Sequence, residues 1–201
     1  MAKYVYGPVA SRRLGRSLGV DLVPVKTCTL DCVYCQLGAA AEPTMERKQY
    51  VTPDEICREV REALQGGAEP DYLTLSGSGE PTLNSRFGEV AERLKELSDI
   101  PVALVTNSTL LHLPQVRADV GSIDLVLPSL DAGDKETFRR LNRPHGDLRL
   151  ADVMEGLRRL REERSALMWL EVFVVPGVNT GEEQVEALVE AVKRIDPHRV
   201  Q

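Results

Sequence analysis

The chain has 201 residues, 42% of them hydrophobic and 28% charged, with a formal net charge of −6. That is enough chain for one domain with a substantial core, and the negative balance argues against a surface that grips nucleic acid throughout, so no DNA partner is expected. No segment is apolar enough for long enough to span a membrane, and the first residues lack the apolar stretch of a secretory signal; a cytoplasmic protein is expected.

In chain order, residues 1–18 read as a lead-in segment. Strands follow at 19–25, 72–75, 102–106, 125–128 and 169–175, with a last one beginning near His198. Between them lie amphipathic runs. Residues 53–64 carry Ile56, Val60 and Leu64 at helical spacing, opened by Thr52 as N-cap and Pro53 at the first helical position. Residues 86–97 carry Val90, Leu94 and Leu97, and residues 150–161 carry Val153, Leu157 and Leu160. Residues 182–195 carry Val185, Leu188, Val189, Val192 and Ile195. A further helix begins near Asp134, which suits an N-cap.

Strand and helix in regular alternation mean parallel strands joined by crossover helices. Periodicity leaves open whether the sheet is doubly wound or a closed or partial barrel. Either way, functional residues belong in the loops after the C-terminal strand ends, and the unusual residues do cluster there. The chain reaches Gln201 within or just after the sixth strand, so a single domain over 1–201, cut from a longer protein, is expected.

Three of the four cysteines fall in one run, Cys28-Thr29-Leu30-Asp31-Cys32-Val33-Tyr34-Cys35. In a cytosolic chain that spacing points to metal or redox chemistry rather than to disulfides. Three thiolates can each hold one iron of a cubane cluster and leave the fourth iron open. The alternatives are a structural zinc site, which wants a fourth protein ligand, or three cysteines buried by coincidence. His112, His145 and His198 are too scattered to complete a zinc site. Cys57, on the 53–64 helix, reads as a small core hydrophobe rather than a fourth ligand.

Downstream comes Leu75-Ser76-Gly77-Ser78-Gly79-Glu80-Pro81-Thr82. Its small residues let a ligand approach the backbone, and Glu80 offers a carboxylate for an ammonium group. A flexible turn or a weak phosphate loop would read the same, though the Walker lysine is absent. Ser129 and Asp131, after the fourth strand, are of the type that hydrogen-bonds ribose hydroxyls or caps a helix.

The spacing C-x3-C-x-aromatic-C, with Tyr34 as the aromatic, resembles the signature of the radical S-adenosylmethionine (SAM) superfamily. The resemblance extends from residue 20 to at least 178. It implies a partial (β/α)6 barrel of TIM type with its active site at the C-terminal strand ends. It implies a 4Fe–4S cluster on Cys28, Cys32 and Cys35, with SAM chelating the fourth iron. Reductive cleavage of SAM would then give a 5′-deoxyadenosyl radical that abstracts hydrogen. The aromatic Tyr34 would lie near the adenine. Ser76, Gly77, Ser78, Gly79 and Glu80 resemble the Gly-Gly-Glu motif that binds the SAM amino group, with Ser78 in place of the first glycine. Asn107 resembles the Thr-Asn-Gly position, with Ser108 in place of glycine. Ser129 and Asp131 resemble the ribose contacts, and Val175 and Gly177 the motif that abuts the adenine.

For substrate, two basic runs stand out, one with Arg12, Arg13 and Arg16 and one with Arg139, Arg140 and Arg143. They are either solvated charge runs or forks for an anion such as RNA phosphate or the SAM carboxylate; Arg12, Arg13, Arg16 and Arg143 are the substrate candidates. The run from Ser129 to Pro144 resembles the tRNA-modifying wyosine-base synthase branch, and Gly7-Pro8 with 11–15 resembles a poorly characterised set near it. Wyosine synthases carry a second cluster or a flavodoxin-like domain, and no second cysteine trio stands here. The competing functions are an activase or peptide-modifying enzyme with a protein substrate, or a non-catalytic iron–sulfur domain. An electron donor such as flavodoxin or ferredoxin is implied for either enzyme.

Overall fold

A computed structural model describes residues 4–38 and 42–201; residues 1–3, the start of the expected lead-in, lie outside it. Strand β1 (Val5–Ser11) turns back as a hairpin into β2 (Gly15–Asp21), with Val5 opposite Val20 and Ser11 opposite Gly15. Each later strand runs parallel to its predecessor: β3 (Tyr72–Ser76), β4 (Val102–Thr106), β5 (Leu125–Pro128), β6 (Leu167–Leu170) and β7 (Arg199–Val200). The helices are α1 (Pro53–Gln65), α2 (Phe87–Leu97), α3 (Pro114–Asp119), α4 (Lys135–Asn142), α5 (Leu150–Glu163) and α6 (Glu182–Ile195).

The spatial order of the seven strands is their order in the chain. A doubly wound sheet must reverse direction at a switch point, and this one never does. Right-handed crossovers that always advance the same way put every helix on one face, and a twisted sheet covered on one face curls into a barrel. Strands β2 to β7 therefore form a partial (β/α)6 barrel, and β1 adds an antiparallel strand outside β2.

Alternation along the strands divides two layers. Leu18, Val20, Leu73, Leu75 and Leu104 face outward and share one core with Ile56, Val60, Phe87 and Leu94 of the helices. The inner face carries Ala103, Leu125 and Leu127, capped by Leu14 from the hairpin tip. Beside them Ser17 and Thr74 share a hydrogen bond of 2.7 Å. Tyr6 lies across Gly19, where a Cβ would stand 2.1 Å from its ring, and its hydroxyl meets Ser76 Oγ at 3.0 Å.

Four differences from the sequence expectation have physical reasons. The first parallel strand spans 15–21 rather than 19–25, because Leu22 and Val23 are buried without joining the ladder. Within the expected lead-in, β1 pairs along β2 although it contains Gly7 and Pro8, residues that an edge strand tolerates. The strand expected at 169–175 is β6, which stops at Leu170 because Phe173 and Val175 donate to side chains instead. Helix α3 has six residues, too few to show a period. Among the described residues no helix is long and apolar enough to cross a membrane.

Candidate cluster and cofactor site

The cysteine run follows β2 and is clamped from two sides. On one, Lys26 N–H donates to Ser78 O at 2.6 Å and Glu80 N–H to Thr27 O at 2.9 Å. Gly79 packs so closely that a Cβ would stand 2.0 Å from Thr27 O. The glycine expected to admit a ligand thus admits the backbone of the cysteine loop. On the other side, Asp31 N–H donates to Asn142 O at 3.1 Å, Val33 N–H to Leu141 O at 2.9 Å and His145 N–H to Thr29 O at 3.0 Å. The segment 141–145 therefore holds the loop through its backbone, and Arg143 caps α4 in a left-handed conformation, φ 44°.

Each of the three sulfurs receives an N–H from outside its own residue. Asn107 Nδ2 donates to Cys28 Sγ at 3.3 Å, Asn142 Nδ2 to Cys32 Sγ at 3.4 Å, and Lys26 Nζ to Cys35 Sγ at 3.3 Å. Burial, and then the Glu80 carboxylate, push the Cys28 thiol up to about 12. Burial also raises Cys32. Such thiols stay protonated at neutral pH until iron displaces their protons. Among the described residues no group of His, Cys, Asp or Glu is gathered to hold one metal ion. A cubane asks for something else, since each thiolate serves its own iron. Three thiols on one loop, each with a separate donor aimed at it, fit that demand. Cys57 is buried in the main core, as a small hydrophobe would be.

Glu80 is 1% exposed, and burial raises its carboxyl. One oxygen accepts from Thr82 Oγ1 at 2.6 Å and Thr106 Oγ1 at 2.7 Å, the other from Asn107 N–H at 2.7 Å. It ties the loop after β3 to the loop after β4. Asp21, at the end of β2, was not foreseen. Its carboxylate accepts from Ser78 N–H at 3.1 Å and from Ser78 Oγ, and a Cβ on Gly77 would stand 2.7 Å from its carbon. Ser76, Gly77 and Ser78 lie beside it.

Asn107, Ser129, Asp131 and Tyr34 converge, with Leu30, Phe138 and Asn142, on a small cavity of about 10 Å³. Asp131 is a hub. It accepts from the Tyr34 hydroxyl, from Asn142 Nδ2 at 2.9 Å and from Phe173 N–H at 2.8 Å. Burial, then the Asp131 charge, hold the Tyr34 phenol above its ordinary value. The Tyr34 ring stacks on Phe173, centroids 4.2 Å apart and planes 18° apart. Asn142 Oδ1 is buried without a partner at this cavity. Asn179 closes the loop after β6 by donating to Asp131 O at 2.9 Å and Phe173 O at 2.8 Å, while its Oδ1 accepts from Val175 N–H at 2.8 Å. Gly177 turns there with φ 72°.

The arginines do not converge. Arg12 and Arg16 lie at the hairpin, at the N-terminal strand ends opposite the cysteine loop. Arg16 is held by Glu69 and Asp71 at 3.4 and 3.5 Å. β1 folds back along β2, so the residues just before the first parallel strand start at the end away from the cysteine loop. Arg13 pairs with Glu171, which follows β6. Arg143 stands 3.6 Å from Asp31 of the cysteine loop. Lys26, Asn142, Asp21 and Phe173 are the site residues that sequence reasoning missed. Asn142 carried a usable signal, being an amide between the end of an amphipathic helix and a proline.

A partial barrel with three thiols on the loop after its first parallel strand defines a protein of the iron–sulfur, adenosyl-cofactor class. The chain belongs to the radical SAM superfamily, whose model matches residues 22–192. Its cofactors are those of the family, a 4Fe–4S cluster and SAM. It is 40% identical to a GTPase Obg of Brachyspira hyodysenteriae over 99% of this chain and 29% of that protein. It is 35% identical to a UPF0026 protein of Synechocystis over 94% of this chain and 71% of that one. A probable GTP 3′,8-cyclase of Pyrococcus horikoshii is 29% identical over 85% of this chain, which spans 51% of it. The structure of TYW1 with a lysine–pyruvate adduct bound superposes with TM-score 0.70 at 20% identity, covering 94% of this chain and 65% of that one; it shows a shared fold.

Proposed function

We propose that this protein is a radical SAM enzyme whose cluster is held by Cys28, Cys32 and Cys35 and whose substrate is a nucleotide-like anion, free or within tRNA. The observation that carries the reading is three thiols on one loop, each with its own hydrogen-bond donor, two of which, Asn107 and Asn142, also line the small cavity with Tyr34, Ser129 and Asp131. When bound, the cluster and SAM supply reductive cleavage of SAM to a 5′-deoxyadenosyl radical.

The chain's own groups do the rest. Ser76, Gly77, Ser78 and Gly79 present backbone to the amino end of SAM. Glu80 holds that loop against Thr106 and Asn107 rather than meeting the ammonium itself. Ser129 and Asp131 offer oxygens for the ribose once Tyr34 yields its hold on Asp131. Tyr34, Val175 and Gly177 bound the adenine side. Arg13 and Arg143 are the arginines on the active side and serve the substrate anion. The GTP named for the cyclase relatives supports a nucleotide-type substrate over a protein. A reductant is required, and we assign that part to a flavodoxin or ferredoxin of the cytoplasm.

The test is 5′-deoxyadenosine formation by anaerobically reconstituted protein with dithionite and SAM, beside Cys32→Ala. Product that disappears with the substitution is expected. No product from protein carrying four irons per chain would overturn the enzyme reading. Comparing tRNA nucleosides by mass spectrometry, with and without the gene, tests the tRNA arm; an unchanged profile leaves the free nucleotide.

A further inference from the structure

We infer that Lys26, Asn107 and Asn142 form a shell of hydrogen-bond donors that sets the reduction potential of the cluster; the inference rests on the cluster assignment proposed above. The three donors come from three places: the loop after β2, the loop after β4 and the last turn of α4. Each addresses a different sulfur, at 3.3 to 3.4 Å. Nothing about holding iron demands this, because thiolates ligate without N–H partners.

What donors at sulfur do is electronic. They draw negative charge off the thiolate, so the cluster accepts an electron more readily. Lys26 adds a cationic head, which favours the more negative, reduced state further.

The placement of each donor is fixed by other contacts. Asn107 Nδ2 also donates to Thr29 Oγ1 at 2.9 Å, and its Oδ1 accepts from Thr109 Oγ1 at 2.7 Å. Asn142 Nδ2 also donates to Asp131 at 2.9 Å; turning the amide over would set its oxygen against that carboxylate. Lys26 Nζ is anchored to Gly38 O and stands 3.9 Å from Asp31. All three are positioning residues that act through sulfur.

The experiment is a redox titration of anaerobically reconstituted protein, with the reduced cluster read by electron paramagnetic resonance. Wild type is compared with Lys26→Met, Lys26→Arg and Asn142→Ser, each normalised to its iron content. At a poise that half-reduces the wild type, removing one donor should lower the reduced-to-oxidised ratio by up to about fivefold, the limit for a hydrogen bond felt in the reduced state alone. Lys26→Arg, which keeps a charged donor, should restore it. Ratios equal to wild type in iron-replete Lys26→Met and Asn142→Ser would overturn the inference alone. A wild type that takes up no cluster would sink the functional reading with it. If Asn142→Ser fails to load iron, the contrast between Met and Arg at position 26 still decides.

Discussion

Ser108 shows how a single residue is fitted to this site. It is fully buried and has φ 72°, a left-handed conformation that favours glycine. A side chain there costs about 1–2 kcal/mol. The hydroxyl offsets part of that by donating to Ser129 O at 2.8 Å, which ties the loop after β4 to the one after β5. Ser108→Ala keeps the strain and loses the bond, so it should destabilise by about 1–2 kcal/mol. Ser108→Gly loses the bond but relieves the strain, and should fall within about 1 kcal/mol of wild type. Urea denaturation of both variants is the check; an alanine variant as stable as the glycine variant would refute the strain argument. The sequence marked this position only as a serine where glycine is usual, since φ is not written in composition.

At the scale of elements, legibility followed the strength of local signals. Helix α6 spans Glu182–Ile195, as its apolar period predicts, and α1 begins at Pro53 behind Thr52. Thr52 and Glu55 form a reciprocal capping box, each side chain accepting the other's backbone N–H at 3.2 Å. Thr52→Ala should therefore cost about 1 kcal/mol, measured as a lowered midpoint in thermal unfolding; no change would mean the pair is redundant with the burial of Ile56 and Val60. What the sequence hid were contacts between elements. The hold of 141–145 on the cysteine loop runs through backbone, which side-chain patterns do not encode. Likewise, the hairpin that carries Arg12 and Arg16 away from the site depends on a strand too polar and too interrupted to read as one.

For the whole molecule, the buried thiols make stability depend on alkaline pH while no cluster is bound. Cys28 binds its proton more tightly folded than unfolded, rising from an ordinary 9.0 to about 12. A raised value means stability that is fully present below pH 9 and is lost as pH climbs toward 12. Cys32 shifts in the same direction. Denaturation of the cluster-free protein at pH 7, 9 and 10.5 should show a decline that steepens above pH 9, and Cys28→Ala should lessen it. An equally steep decline in Cys28→Ala would assign the effect to other groups.

The unbroken strand order has one more consequence. Because neighbours in space are neighbours in sequence, the mouth of the barrel can be read like a dial. Going round it, one meets the thiols, then the glycine loop, then Asn107, then Ser129 and Asp131, and last the turn that ends at Asn179. Under the proposed assignments, the early marks on this dial hold the cluster and the amino end of SAM, and the late ones its ribose and adenine. New specificity is then best sought off the dial, at Arg13 and Arg143, with the marks themselves left as they stand.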